Sequence, residues 1–95
     1  YLEKTCVVNT PHLTQNYPNP FNPATNISFS IPKASNVSLT VYNSVGERVK
    51  ELIDEFMYPG RYVVKFNGTG LSSGVYFYRL TAGDFTKIRK MLLTK

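Results

Sequence analysis

Few side chains in this sequence are of types that do chemistry, and their spacing assigns most of them to other work. Cys6 is the single cysteine and His12 the single histidine. A cysteine nucleophile needs a base in hydrogen-bonding reach, and that base needs a third group to orient it. Cys6 lies in the short β-prone run Thr5-Cys6-Val7-Val8 and His12 six residues on in a polar, Pro-flanked segment, with no such third group evident. A lone cysteine also excludes an internal disulfide and a Cys-based metal site, so Cys6 reads as a small apolar side chain. Asp54 and Glu55 are the only adjacent carboxylates. Glycosidic hydrolysis uses two carboxylates flanking a bond, one of them with a raised pKa in an apolar pocket. Neighbours on a loop without such a pocket read as solvated turn residues. No nucleophile, base and orienter can be assembled, and the expectation is no enzyme, no cofactor and no metal.

The remaining candidates are cations. The formal charge is +5, and four of the eleven Lys and Arg (Lys87, Arg89, Lys90 and Lys95) fall in the last nine residues, which contain no Asp or Glu. The surplus therefore belongs to the C-terminal end. A tail read by an acidic or polar partner fits this placement better than a nucleic-acid-binding face, for which no accompanying motif exists. The same cations would also protect an edge strand against sheet-to-sheet aggregation. Asn26-Ile27-Ser28, Asn36-Val37-Ser38 and Asn67-Gly68-Thr69 match the N-glycosylation pattern, a match that comes cheaply in an Asn- and Ser-rich chain. No apolar run approaches the roughly 20 residues that span a bilayer as a helix. The sequence begins at Tyr1 without a signal-peptide pattern, as expected of a piece from the end of a longer protein.

The elements that must position these groups are strands. The chain has 95 residues, seven Tyr, six Phe, no Trp and abundant turn formers, which predicts one all-β domain. Its spine is Gly74 to Leu80: β-branched and aromatic residues place Tyr76, Tyr78 and Leu80 on one face and Val75, Phe77 and Arg79 on the other. Arg79 marks its face as reaching water, so the first set is expected in the core with tyrosine hydroxyls at the rim. Strict alternation gives Ile27, Phe29 and Ile31, then Val37, Leu39 and Val41, then Tyr62, Val64 and Phe66 as further inward faces.

Between Arg48 and Ile53 the alternation fails, because Val49, Leu52 and Ile53 do not share one face, and a bulge or strand end near Glu51 is expected. Turns fall at Asn43–Gly46, Tyr58–Gly60, Asn67–Gly70 and Ala82–Asp84, and a last strand at Phe85–Leu93. Pro18, Pro20 and Pro23 exclude a helix from the segment Leu13–Pro23. Its Asn residues can bond their own loop backbone, and Tyr17 and Phe21 are expected to plug the core. Six strands follow, with a seventh possible near Cys6–Val8; their spacing of about ten residues describes an antiparallel β-sandwich.

Four blocks then carry a resemblance: Tyr17-Pro18-Asn19-Pro20-Phe21-Asn22-Pro23, Val41-Tyr42-Asn43-Ser44-Val45-Gly46-Glu47-Arg48-Val49, Leu71–Leu80 and Lys90-Met91-Leu92-Leu93-Thr94-Lys95. In this order they resemble the type A C-terminal sorting domain of the type IX secretion system (the Por secretion system), over Leu13 to Lys95. The resemblance implies an immunoglobulin-like β-sandwich of about seven strands at residues 13–95, with residues 1–12 a linker or the end of an upstream cargo region. It also implies a signal that directs the attached cargo from the periplasm across the outer membrane to the cell surface or beyond. The implied partners are an outer-membrane translocon and a sortase-like cysteine peptidase that replaces the domain with a surface anchor. The family's signal residues map to Lys90, Met91, Leu92, Leu93 and Lys95, with Gly74 and Tyr76 as its internal Gly-x-Tyr. Thr94 departs from the aliphatic residue common there.

Alternation leaves one question of register open. If Met91 and Leu93 face the core, Lys87 and Arg89 share their side and must snorkel or follow a bulge. Two other functions fit a sandwich of this size: an adhesive or carbohydrate-binding module using exposed aromatics such as Tyr42 and Tyr58, and a passive spacer beside a catalytic domain. Self-association through an exposed strand edge is a further possibility to test.

Overall fold

A computed structural model describes residues 11–94 of the chain. The expected strand near Cys6–Val8 and the Cys6–His12 pairing therefore lie outside the described residues. Within them the chain forms β1 (His12–Leu13), β2 (Ala24–Ile31), β3 (Ser35–Asn43), β4 (Arg48–Met57), β5 (Gly60–Asn67), β6 (Gly74–Ala82) and β7 (Phe85–Leu93). All pairings between named strands are antiparallel: β1-β2-β5 make one sheet and β4-β3-β6-β7 the other. This is the strand order of an immunoglobulin-like sandwich, with β1, β2 and β5 as its A, B and E strands and β3, β4, β6 and β7 as C, C′, F and G.

The core forms where the alternating faces of the two sheets meet. Ile27, Phe29 and Ile31 of β2, Val37, Leu39 and Val41 of β3, and Tyr76, Tyr78 and Leu80 of β6 are all buried, as their alternation predicts. Phe66 of β5 is buried, and Tyr62 and Val64 pack against the same cluster from the partly exposed end of that strand. Phe29 and Tyr62 stack at 5.4 Å between ring centroids, and Phe21 meets Phe66 edge-on at 5.9 Å. The turns fit their residues. Gly83 takes φ 61° at the first position of the two-residue β6–β7 loop, as a type II′ hairpin requires, and Gly46 takes φ 88° after β3.

Strand β4 departs from the expected Arg48–Ile53 and continues to Met57. The broken alternation has a local cause. Leu39 and Thr40 pair with Ile53 and Glu51, leaving Leu52 over; Val41 and Tyr42 pair with Lys50 and Arg48, leaving Val49 over. Two extra residues on one strand are two bulges, and each resets which face the following side chains take. Asp54 and Glu55 accordingly lie in a strand and not in a turn. Both are exposed, but as consecutive strand residues they point to opposite faces, so they cannot flank a common bond.

Tyr17 does not plug the core: it is 79% exposed. Its backbone exchanges two hydrogen bonds with Asn26, at 3.0 and 2.9 Å. This pairing turns the side chain outward and sends that of Asn16 in instead.

Candidate functional site

The residues singled out at the C-terminal end meet at one end of the β6–β7 ladder. Met91 lies across from Tyr76, Leu93 from Gly74, Leu92 from Val75 and Lys90 from Phe77, in nine consecutive pairs without a register shift. The open question of register is thereby answered. Met91 and Leu93 are buried, and Arg89, on their side, is half-buried with its Nε donating to the Leu13 carbonyl at 3.0 Å. Lys87 shares that side but remains exposed. The side chains of Lys90, Leu92 and Thr94 take the other side and reach solvent. Lys95 lies outside the described residues.

Gly74 and Tyr76 have an identifiable structural task. Gly74 adopts φ 149°, a conformation that L side chains rarely take, at the first position of β6. Two residues on, the Tyr76 hydroxyl donates to the Ser72 carbonyl at 2.7 Å. A tyrosine near the start of the F strand that bonds backbone a few residues upstream is the tyrosine corner of immunoglobulin-like sandwiches. The Gly-x-Tyr pattern thus fixes the chain where it enters β6, against which the C-terminal strand pairs.

The second side of β7 is held by the proline segment, from more than 70 residues away in sequence. Gln15 Nε2 donates to the Lys90 carbonyl at 2.7 Å, and the Leu92 amide donates to Asn19 Oδ1 at 3.0 Å. The Phe21 amide donates to the Leu92 carbonyl and the Thr94 amide to the Phe21 carbonyl, both at 2.9 Å. Phe21 and Leu93 form a parallel bridge. Prolines lack an amide donor, so the segment cannot continue as a full strand; Asn19 and Phe21 supply the contacts between them. Gly68 completes the fit: a Cβ there would stand 3.2 Å from a Leu93 methyl and 3.3 Å from the Phe21 ring.

Beneath this lies a buried polar cluster that sequence reasoning did not place. The Tyr78 hydroxyl accepts from the Asn16 amide at 2.8 Å and donates to the Thr14 carbonyl at 2.7 Å. Asn16 Nδ2 donates to Thr25 Oγ1 at 3.0 Å and to the Pro18 carbonyl at 3.1 Å, and Thr25 Oγ1 donates to Pro18 O at 2.9 Å. Burial pushes the Tyr78 phenol above its ordinary pKa, partly offset by the Asn16 amide and the nearby Arg89 guanidinium. Thr25 had a legible signal, since it continues the inward period of Ile27, Phe29 and Ile31. Asn16 had none.

The cations are therefore not a tail. Lys87, Arg89 and Lys90 belong to an edge strand bonded to β6 throughout and to residues 13–21 along part of its outer side. Nor do Tyr42 and Tyr58 make one sugar platform: Tyr58 is exposed, but Tyr42, expected to be, is half-buried. Tyr42 pairs with Arg48 at the start of β4, whereas Tyr58 follows Met57 at its far end, ten residues or roughly 30 Å along a strand. Among the described residues no group of His, Cys, Asp and Glu is placed to hold a metal ion, and no helix is long and apolar enough to cross a membrane.

The fold defines a small immunoglobulin-like β-sandwich whose C-terminal strand is gripped by residues 13–21. A family model for the secretion system C-terminal sorting domain matches residues 15–94, and the chain belongs to that family. The match covers the proline segment, the β3–β4 hairpin, the tyrosine corner and most of the C-terminal block. It assigns the domain to type IX secretion as a C-terminal sorting signal, with a cargo in the same polypeptide and a destination at the cell surface or outside the cell; the family is not one of enzymes. No curated protein matches the chain at a significant level.

Proposed function

We propose that this domain carries its cargo from the periplasm across the outer membrane by offering the exposed face of its C-terminal strand to the type IX translocon. In this reading Lys90, Leu92 and Lys95 are read directly. Met91, Leu93, Gly74 and Tyr76 act from beneath, by fixing the strand that displays Lys90 and Leu92. A sortase-like cysteine peptidase then cuts within residues 1–13 and exchanges the domain for a surface anchor.

The observation that supports this most is the pinning of β7 from both sides. A translocon that handles many cargoes needs a handle whose shape is independent of each cargo, and a strand held between β6 and residues 15–21 keeps its outward residues in one arrangement. Buried Met91 and Leu93 supply rigidity, and alternation leaves Lys90 and Leu92 facing out.

The test fuses residues 13–95 to a periplasmic reporter in a type IX-secreting host. Removing Lys90–Lys95 should abolish surface delivery, but it also removes core side chains. A second variant, Lys90→Glu with Leu92→Ser, changes only exposed side chains and should lower delivery while leaving the unfolding midpoint unchanged. Equal delivery by the parent and both variants would refute the proposal.

A further inference from the structure

The side of the four-stranded sheet turned away from the core is divided along its strands. Toward the β3–β4 hairpin, Tyr42, Phe77 and Lys90 form one cross-strand row, flanked by the row of Val75 and Leu92 on its outer side and by that of Arg79 and Ile88 on the side of the sheet's middle. Toward the other end the central rows are polar, with Ser38, Thr81 and Thr86 abreast and Asp54 outside them, and the one large apolar side chain there, Phe56, stands at the β4 edge across from Asn36 and packs edge-on against Tyr58. The first end exposes apolar side chains together: Ile88 is 56% exposed, Leu92 39% and, on the hairpin, Val45 76%. Hairpin and sheet border a shallow, open groove of about 550 Å³ at that first end, whose walls include Tyr42, Val45, Phe77, Arg79 and Ile88. Contiguous exposed apolar surface with a charged rim marks an interaction site more often than a bare domain surface.

The rim selects the partner. Arg48 stands across from Tyr42, Lys90 lies across from Phe77, and the Arg79 guanidinium sits 5.1 Å from the centre of the Tyr42 ring. Two carboxylates are near. Glu47 accepts a hydrogen bond from Asn43 Nδ2 at 2.9 Å within the hairpin, and Glu51 pairs with Thr40 on the outermost strand. Three cations thus border the apolar strip, and a second copy docked face to face would set like charges against one another.

We propose that this groove docks an acidic protein segment of the export machinery, in which an aliphatic or aromatic side chain enters between Tyr42, Phe77 and Ile88 while flanking carboxylates meet Arg48, Arg79 and Lys90. The proposal rests on the sorting function and extends it from the C-terminal strand to a surface shared by β3, β4, β6 and β7.

The experiment uses the full cargo-linked chain in a secreting host. Arg48→Glu with Arg79→Glu, neither of them in the C-terminal block, should lower surface delivery at least about tenfold, since two charged contacts become repulsive, with the fold intact and the unfolding midpoint lowered only by the lost Arg79–Tyr42 contact. Arg48→Lys with Arg79→Lys should retain most of it. A photo-crosslinking residue at position 88 should attach to Asp- or Glu-containing peptides of an export protein. The same probe at Val63, exposed on the other sheet, should not. Parental delivery by the charge-reversed variant overturns the proposal, as do adducts at position 88 on lipid or on a second copy, or no adduct there. If removal of Lys90–Lys95 still blocks delivery, only the docking surface falls; if that deletion is also silent, the sorting reading falls with it.

Discussion

The two edges of the four-stranded sheet meet the same hazard in opposite ways. An open edge presents unpaired amides and carbonyls that invite another strand. On β4 the answer is irregularity. Two bulges at Val49 and Leu52 twist the strand, and Lys50, Glu51, Asp54 and Glu55 keep it charged and exposed. On β7 the answer is cover. The strand runs in unbroken register with β6 while Gln15, Asn19 and Phe21 occupy much of its outer side. Irregularity protects an edge at the expense of a defined surface, whereas cover protects it and fixes the surface as well. The face proposed as the sorting signal lies on the second kind of edge.

The largest effect should come from the interior of the covered edge. Met91→Ala, at a fully buried position, is expected to cost about 2 to 5 kcal/mol in urea unfolding, a large share of the roughly 5 to 14 kcal/mol a domain of this length has. Ile53→Ala on β4, where the side chain is half-buried, should cost about half as much. Equal losses would erase the distinction between the edges.

Next is the polar cluster behind the latch. Tyr78→Phe leaves the buried Asn16 amide without its acceptor and should cost about 1 to 3 kcal/mol. It should also change the alkaline limb of stability. The folded-state pKa of Tyr78 lies above the ordinary value of 10.0, so its contribution is complete below pH 10 and lost as pH rises through the raised value. Part of the destabilisation of the parent above pH 10 should therefore be absent from Tyr78→Phe. Identical alkaline profiles would remove this phenol from the account.

The smallest effects sharpen the comparison. Asn19→Ala deletes one exposed hydrogen bond to the Leu92 amide and should cost about 0.5 to 1 kcal/mol, with faster exchange of that amide. Lys50→Ala on the bulged edge should stay within about 0.5 kcal/mol of the parent. A larger effect at Lys50 than at Asn19 would reverse the assignment of roles.

Much of the architecture was legible because burial on one face imposes a period of two. The inward sets of β2, β3, β5 and β6 follow from alternation alone, and the failure of alternation near Glu51 marks real bulges in β4. Its continuation through Asp54 and Glu55 was not legible. Charged neighbours resemble a turn unless the strand is known to lie at an edge, where both faces meet water. The grip on β7 was hidden for another reason. It is made by polar and backbone groups of a proline-rich segment whose partners lie some 75 residues away, and backbone bonds leave no periodic trace in side-chain types. Tyr17 and Asn16 show the same limit: which of two neighbours turns inward was decided by the backbone pairing of Tyr17 with Asn26, not by hydrophobicity. Within the C-terminal block, the strand's register decides what composition could not: Met91 and Leu93 are buried, and Lys90 and Leu92 face solvent.

The central claim is that the C-terminal strand is a latched part of the fold rather than a loose end. Native-state hydrogen exchange, resolved residue by residue along the outer side of β7, tests it most directly. The Leu92 and Thr94 amides, bonded to Asn19 and Phe21, should exchange only with opening energies approaching that of global unfolding, while the Ile88 amide on the uncovered stretch of the same edge exchanges readily. Fast exchange at all three positions would contradict the account.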